Sequence, residues 1–510
     1  MNQEKITGRL ITRNWLLNLL GQGIPLFLGL LTIPWLLRYL GIERFGILSI
    51  AWAVLGYVGQ FDLGLGRATT KFVAECLGRG DIEKLPALIW TSVFSQLVFG
   101  GLAAFLLLAL TPALSNHILK ISSVHLLEMK MVLLILAGSI PLVIATNSLR
   151  GVLEADQQFT LINYIKIPAN ISVFLLPVLG IPLAIGLPGI VLLLVLSRLA
   201  TVLAYLLACF RIFPSLRQRI ALDLSLLRIL FAYGSWVTVS NLISPLLTYV
   251  DRFFIGAIIS MAAVGYYTAP YEIVTKIWLL PSSLLATVFP AFSALQARES
   301  GERMEELYVR SVKSILITAG PVLLILAAFA RQILGVWLGP QFASRSASTL
   351  QILALGVFIN CISFVPFGML QGLGRPDLTA KFHMVESPFY VLVLWVLLKR
   401  LGLPGAAWAW TIRVAVDTVL LFLAVFKLKF VSRHAMMESP LRRAILALVL
   451  PAVLLPLSWI NSPLMVQLTA CVCLMAIFVM TVWAYVLDMN ERSMLVGAAI
   501  RFRIRLAGGK

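Results

Sequence analysis

Charged residues are scarce in this sequence, and their scarcity sets its class. Only 12% of the 510 residues are Asp, Glu, Lys or Arg, whereas 60% are hydrophobic. Soluble domains carry about 25% charged residues. The composition therefore excludes an ordinary soluble protein and indicates a membrane protein.

The motifs of cofactor and metal chemistry are also missing. The five cysteines are scattered without a CxxC pair, so neither a disulfide framework nor a metal site is indicated. The four histidines are dispersed without HExxH, and the sequence has no GxxxxGK[ST] loop for ATP. We therefore expect no cofactor and no metal. The net charge of +19 is spread along the chain, which favours attraction to anionic lipid headgroups over nucleic-acid binding.

Long apolar runs fill most of the chain. A hydrocarbon core about 30 Å thick requires roughly 20 apolar residues per helix. Lipid leaves no water for unpaired backbone groups, so segments that span it are helices. The sequence predicts an all-α polytopic membrane protein with about 14 transmembrane helices. The predicted spans are 14–37, 45–66, 86–111, 130–152, 160–182, 187–210, 229–252, 262–292, 312–335, 347–372, 378–399, 403–427, 443–461 and 464–488.

Several landmarks occur twice at a nearly constant offset. GLPG stands at 186–189 and again at 402–405, and Gly46 and Gly265 are 219 residues apart. Six predicted spans separate the copies, which indicates a parallel repeat about an axis along the membrane normal. The predicted parts are two pseudo-symmetric six-helix bundles at 1–210 and 229–427, a cytoplasmic linker at 211–228, and two additional helices with a basic tail at 428–510.

Basic residues sort to one side of the predicted membrane. If the amino terminus is cytoplasmic, 28 of the 41 Lys and Arg residues lie in cytoplasmic segments and nine lie outside. The positive-inside rule therefore predicts that both termini are cytoplasmic.

Three stretches resemble polysaccharide transport flippases, the Wzx-like branch of the multidrug/oligosaccharidyl-lipid/polysaccharide (MOP) superfamily. They are GIPLFLGLLTIPWLLRYLGIERFGILSIAW, FDLGLGRATTKFVAE and YVDRFFIGAIISMAAVGYYTAPYEI, and the GLPG openings are similar too. The resemblance implies a bacterial inner-membrane transporter whose central cavity opens alternately to each side. The implied cargo is an undecaprenyl-pyrophosphate-linked oligosaccharide, with a polysaccharide polymerase and chain-length machinery as further partners beside membrane lipids.

Ionisable residues within the spans are the first candidates for a cargo site. Glu272 and Lys276 stand four positions apart, and Arg198 and Arg413 occupy matching depths in the two repeats. A charge near the bilayer centre costs about 2.5–3.5 kcal/mol on insertion scales, so it needs water or a partner. These residues either line a wet cavity and bind the diphosphate, or form structural contacts between neighbouring helices. Arg198 has no acidic residue within four positions.

Four more residues are candidates for gates or for the cavity wall. Asp251 and Arg252 end the predicted seventh span at its outer side, and Asp62 lies near the inner end of the second. These three are candidate gate residues, although Arg252 equally fits a solvated helix terminus. Asn18 belongs to a polar stripe on the first span, which suits a sugar-lined lumen or hydrogen bonds between helices.

Two other functions compete with the flippase. A cation-coupled drug exporter of the same superfamily commonly uses an acidic residue deep in the first or seventh helix, and the first span here has none. A membrane-embedded glycan transferase would need acidic or histidine clusters in a large outer loop. The longest predicted outer loops, 112–129 and 336–346, are short and acid-poor. The sequence therefore favours a transporter over an enzyme.

Overall fold

A computed structural model describes most of the chain. The described residues are 8–60, 65–227, 243, 247–297, 301–432, 439–457, 463–489 and 491–493, and side chains of the first helix are described from residue 27. All regular structure within these ranges is helical. The prediction of an all-α membrane protein is confirmed.

The chain groups into two units. The first comprises Met1–Ile273 and His383–Ala406, and the second comprises Val274–Phe382 and Ala407–Lys510. Helices of the first half of the chain are α1 (Gly8–Gln60), α2 (Leu65–Arg79), α3 (Leu85–Ala113), α4 (Leu126–Ala155), α5 (Phe159–Gly180), α6 (Gly186–Ile212), α7 (247–258) and α8 (Met261–Thr275).

The helices that follow complete both units. They are α9 (Leu279–Ala297), α10 (Gly301–Ala328), α11 (Ala330–Leu338), α12 (Pro340–Gly372), α13 (Pro376–Leu401), α14 (Leu403–Lys427), α15 (Ser439–Ala452) and α16 (Leu464–Thr481). In the described part of the chain, ten helices are long and apolar enough to cross a membrane. The predicted number of fourteen is thus not confirmed, and the duplicated bundles stay a prediction.

The first two predicted spans meet at a glycine corner. α1 runs through both, but Gly41 has φ 77° and ψ 166°, which breaks the helix into two arms. A Cβ at Gly41 would meet nothing within 4 Å, so the left-handed backbone angle is what requires glycine there.

Both copies of GLPG have the same backbone geometry. Gly186 and Gly402 each have φ 66°, and each immediately precedes or opens a helix, α6 and α14 respectively. Proline two residues later is suited to the first helical turn, where its missing N–H is not needed. The repeated letters therefore mark a repeated helix start.

Two helices extend beyond the predicted spans. α10 begins at Gly301 rather than at 312. The added segment, GERMEELYVRSVKS, has apolar residues at helical spacing, so it forms a helix although it is too polar for lipid. The helix at 247–258 continues past the expected end at Arg252. For α10 the difference arises because hydropathy detects only the apolar part of a helix. At 247–258 the charged pair Asp251–Arg252 interrupts an apolar run that resumes at Phe253.

The last described residues of the second unit are held by buried charges. Lys313 of α10 is 2% exposed, and its Nζ donates to Glu491 Oε2 at 2.8 Å and to Asp488 Oδ2 at 3.4 Å. Arg310 Nε lies 3.1 Å from Glu491 Oε1. Burial opposes ionisation of Glu491, but hydrogen bonds from Lys313 and from the Asp488 backbone N–H outweigh it, so the pKa of Glu491 lies below its usual value.

Candidate substrate cavity

A cavity of about 200 Å³ lies within the first unit, among α1, α5, α6, α7 and α8. Two arginines and one glutamate line it, and each comes from a different helix: Arg198 from α6, Arg252 from α7 and Glu272 from α8. The remaining wall is aromatic, apolar or hydroxylic. Three residues singled out from the sequence are therefore brought together in one space.

Arg252 is held by a buried acidic neighbour. Asp251 is 0% exposed and Arg252 2% exposed. Arg252 Nη1 donates to Asp251 Oδ1 at 3.3 Å and to the Thr248 carbonyl oxygen at 3.1 Å, and Tyr267 Oη donates to Asp251 Oδ2 at 2.7 Å. The expectation of a solvated helix terminus at the end of the seventh span is wrong, because the helix continues to 258 and packing buries both charges.

Aromatic rings pack against the guanidinium of Arg252. Its guanidinium carbon lies 4.4 Å from the ring centroid of Tyr271 and 5.4 Å from that of Tyr249. Tyr271 also stacks on Tyr267, with centroids 6.0 Å apart. A desolvated guanidinium is stabilised over such ring faces. Arg252 is therefore fixed in position, and Glu272 lies near enough to add a further electrostatic attraction.

Arg198 differs from Arg252 because no acidic residue in the described part of the chain holds it. It lines the same cavity, and no residue within the described ranges forms a hydrogen bond or ion pair with it. Trp52 Nε1 and Thr268 Oγ1 on the same wall also lack hydrogen-bond partners among the described residues. A guanidinium offers five N–H donors in a planar fork. The cavity thus presents several unused donors and a positive charge, which suits an anionic, oxygen-rich ligand.

The other predicted site residues lie elsewhere. Lys276 begins the 3-10 turn Lys276–Trp278 and belongs to the second unit, whereas Glu272 belongs to the first, so their pairing stays a prediction. Arg413 lies on α14 in the second unit, four residues before the buried Asp417. The side chain of Asn18, and Asp62 altogether, lie outside the described residues.

The sequence matches a family model described as "Polysaccharide biosynthesis protein" over residues 11–296, which is more than half of the chain. The chain belongs to this family. A second model, MatE, matches residues 237–396. A Shigella flexneri protein bearing the name "Putative O-antigen transporter" is 30% identical over 412 residues, covering 81% of this chain and 96% of that protein. A Haloferax volcanii protein named as a probable low-salt glycan biosynthesis flippase is 24% identical over 193 residues, covering 38% of this chain and 41% of that protein.

Solved structures give the fold of this polysaccharide biosynthesis family member. The lipid II flippase MurJ in an inward closed conformation superposes with a TM-score of 0.74 at 12% identity, covering 92% of this chain and 98% of that chain. An inward-facing multidrug resistance MATE transporter of the MOP superfamily superposes with a TM-score of 0.67 at 16% identity, covering 81% of this chain and 98% of that one. The resemblance to the MOP superfamily that the sequence suggested is confirmed.

Sequence reasoning missed several polar residues of this family member. Trp52, Tyr267 and Tyr271 stand in apolar spans, where aromatic residues look like ordinary core. Glu386 is 5% exposed on α13 and is also an acid inside a predicted span. The signal for Glu386 was present, because an intramembrane carboxyl marks a functional position by default. The sequence carried no such signal for the tyrosines, since only the fold brings them to Asp251 and Arg252.

Proposed function

We propose that this protein is a flippase that moves a lipid-linked oligosaccharide, a precursor of a surface polysaccharide, from the cytoplasmic to the outer leaflet of a bacterial inner membrane. Membership of the polysaccharide biosynthesis family supports the pathway, and the Shigella flexneri and Haloferax volcanii relatives are named as a transporter and a flippase. The observation that carries the mechanism is the arginine-lined cavity among membrane-spanning helices.

The physical need for a cavity follows from the cargo. A sugar hydroxyl carried through hydrocarbon without a hydrogen bond costs several kcal/mol. A wet groove lets the polar head pass while the prenyl tail stays in lipid. A volume of about 200 Å³ is too small for an oligosaccharide, so the space fits the diphosphate and its first sugar, and the groove must widen during transport.

The two arginines have different parts in this proposal. Arg252 keeps its position because Asp251, Tyr267 and the tyrosine rings hold it, and it forms a fixed part of the cavity wall. Arg198 binds the diphosphate directly, since its planar fork matches phosphate oxygens. Glu272 limits the net charge of the empty cavity, which eases release of the anion.

The driving force, orientation and partners belong to the same proposal. Both termini are cytoplasmic, as the distribution of Lys and Arg predicts. An inside-negative potential then favours outward movement of an anion by about 2.3 kcal/mol per charge per 100 mV. The protein works as a transporter without catalysing a reaction, and a polymerase and chain-length machinery take over the exported unit.

Deletion of the gene from its host tests the function. The lipid-linked oligosaccharide should accumulate on the cytoplasmic face, where it is protected from periodate added to intact spheroplasts. Complementation should restore its oxidation. A deletion strain whose oligosaccharide is oxidised as fast as in the wild type would contradict the flippase.

A second candidate is a cation-coupled small-molecule exporter, which the MatE match over residues 237–396 favours. Such an exporter needs an acid available to a cation, and the buried Asp251 is already engaged by Arg252 and Tyr267. In the same deletion strain, increased drug sensitivity with normal surface polysaccharide would support the exporter function instead.

A further inference from the structure

A crevice of about 640 Å³ lies at the end of α14 in the second unit. Lys427, Lys429 and Glu305 line it beside the apolar side chains of Leu423 and Phe426. Lys427 is the last residue of α14, and Lys429 follows with φ 59°. The sequence places both lysines on the cytoplasmic side, where anionic lipid headgroups are common.

The charge of the crevice is positive and unsatisfied. Neither Lys427 nor Lys429 forms an ion pair with a residue that the structure describes. The Glu305 carboxylate is occupied, since its Oε2 accepts the Ser432 backbone N–H at 2.6 Å and its Oε1 lies 3.4 Å from Ser432 Oγ. Two ammonium groups against one carboxylate leave a net charge of +1, which matches one phosphodiester.

An apolar stripe leads along α14 to these lysines. Ile412, Val416, Val419 and Leu423 are between 43% and 56% exposed. Their spacing of three or four residues puts them on one face of the helix, and Lys427 is the next position on that face. A chain lying on the stripe would therefore bring its polar end to the crevice.

A packed aromatic row, of which Phe426 lines the crevice, lies behind it. Phe422 lies 6.1 Å from Tyr308 and 6.1 Å from Phe426, measured between ring centroids. Tyr308 is completely buried. This packing joins the end of α14 to α10, so the lysines and Glu305 keep a defined separation rather than lying on a loose tail.

We propose that this crevice binds the headgroup of an anionic glycerophospholipid of the surrounding bilayer, with one acyl chain along the stripe of α14. The single phosphodiester of phosphatidylglycerol neutralises the net charge at Lys427 and Lys429, whereas a prenyl diphosphate would leave excess negative charge. The site is independent of transport, and it stands whether or not the protein is a flippase.

Lipid retention by the purified full-length protein tests the site. Native mass spectrometry in detergent micelles should show phosphatidylglycerol bound in preference to the zwitterionic phosphatidylcholine. In the Lys427→Gln/Lys429→Gln variant, binding of phosphatidylglycerol should be roughly thirtyfold weaker, as expected when two basic residues near an anionic headgroup are lost. Gel filtration confirms folding, which neither exposed lysine is expected to affect.

The matched control is Arg219→Gln/Arg442→Gln, which removes two positive charges from exposed positions that do not line the crevice. It should bind phosphatidylglycerol as the wild type does. Equal retention of both lipids, or undiminished binding by the lysine variant, would overturn the proposal. Displacement of phosphatidylglycerol by an equimolar amount of farnesyl diphosphate would overturn it too, since the crevice would then belong to the prenyl carrier.

Discussion

Gly46 of α1 and Gly265 of α8 make a reciprocal contact within the first unit. A Cβ on Gly46 would collide with the Met261 carbonyl oxygen, and a Cβ on Gly265 would lie 2.9 Å from the Ile42 carbonyl oxygen. Each opposed carbonyl belongs to the residue four positions before the other glycine. Such an exchange is the mark of a two-fold axis. The two glycines and the two carbonyls are each 219 residues apart, which is the offset at which the sequence predicts a repeat.

Adding a methyl group at either glycine should destabilise the protein. We expect Gly46→Ala and Gly265→Ala each to lower the free energy of unfolding by about 1–3 kcal/mol, because the backbones must separate. Thermal unfolding of purified protein measures the effect.

Gly138→Ala is the control for this pair. A Cβ at Gly138 of α4 would meet nothing within 4 Å, and alanine is the better helix former, so stability should stay equal or rise. A Gly46→Ala protein as stable as Gly138→Ala would show that the close approach does not exist.

The buried pair Asp251–Arg252 should respond to mutation as a unit. Either Asp251→Asn or Arg252→Gln leaves one uncompensated charge in the interior, which costs about 3–5 kcal/mol. We expect the double variant to lose less than the sum of the two single losses, and thermal unfolding in a double-mutant cycle measures the difference. Strictly additive losses would contradict the pairing.

The hydroxyl of Tyr267 provides a smaller, separate test of the same cluster. Tyr267→Phe removes the hydrogen bond to Asp251 and should cost about 1.5–3 kcal/mol, as for bonds to charged groups. Tyr164→Phe, at a position 63% exposed on α5, should be neutral. Equal stability of the two variants would rule out a structural role for this hydroxyl.

The sequence predicted the parts of the fold that depend on local chemistry. Apolar runs predicted helices, and both copies of GLPG do adopt the same left-handed glycine geometry at helix starts. Of the four charges singled out within the spans, Arg198 and Glu272 line one cavity, and their part in binding cargo stays a proposal. A charge in lipid needs water or a partner whatever the fold, so its position alone is informative.

What depends on long-range packing was not predictable. Nothing near Arg252 in sequence indicates the rings of Tyr249 and Tyr271 over its guanidinium, because the helices must first be placed side by side. Arg252 was expected at a helix end, since the charged pair Asp251–Arg252 interrupts the apolar run, yet it is buried. The crevice at Lys427 likewise depends on α10, which supplies Glu305 from a distant part of the chain.

The contact between Lys313 and Glu491 should make part of the stability dependent on pH. The pKa of Glu491 is lower in the folded than in the unfolded protein, so its contribution is fully present above about pH 4.3, the usual pKa of glutamate. The contribution is lost as pH falls through the folded pKa. We expect Glu491→Gln to lower the melting temperature at pH 7, and the gap from wild type to close toward pH 3.

Glu302→Gln is the control for this measurement, because Glu302 is exposed in the first turn of α10. Its melting temperature should equal that of the wild type at every pH. A gap between Glu491→Gln and wild type that persists unchanged at pH 3 would show that charge is not its cause.

The central claim is that the cargo's diphosphate passes through the cavity lined by Arg198. The most direct measurement is the rate at which Arg198→Gln protein in reconstituted vesicles flips a fluorescent lipid-linked oligosaccharide. We expect a rate at least tenfold below wild type, since a hydrogen bond to a charged group contributes about 1.5–3 kcal/mol. Arg198→Lys should fall between them, and the exposed Arg219→Gln should match the wild type. Wild-type flipping by folded Arg198→Gln protein would contradict the account.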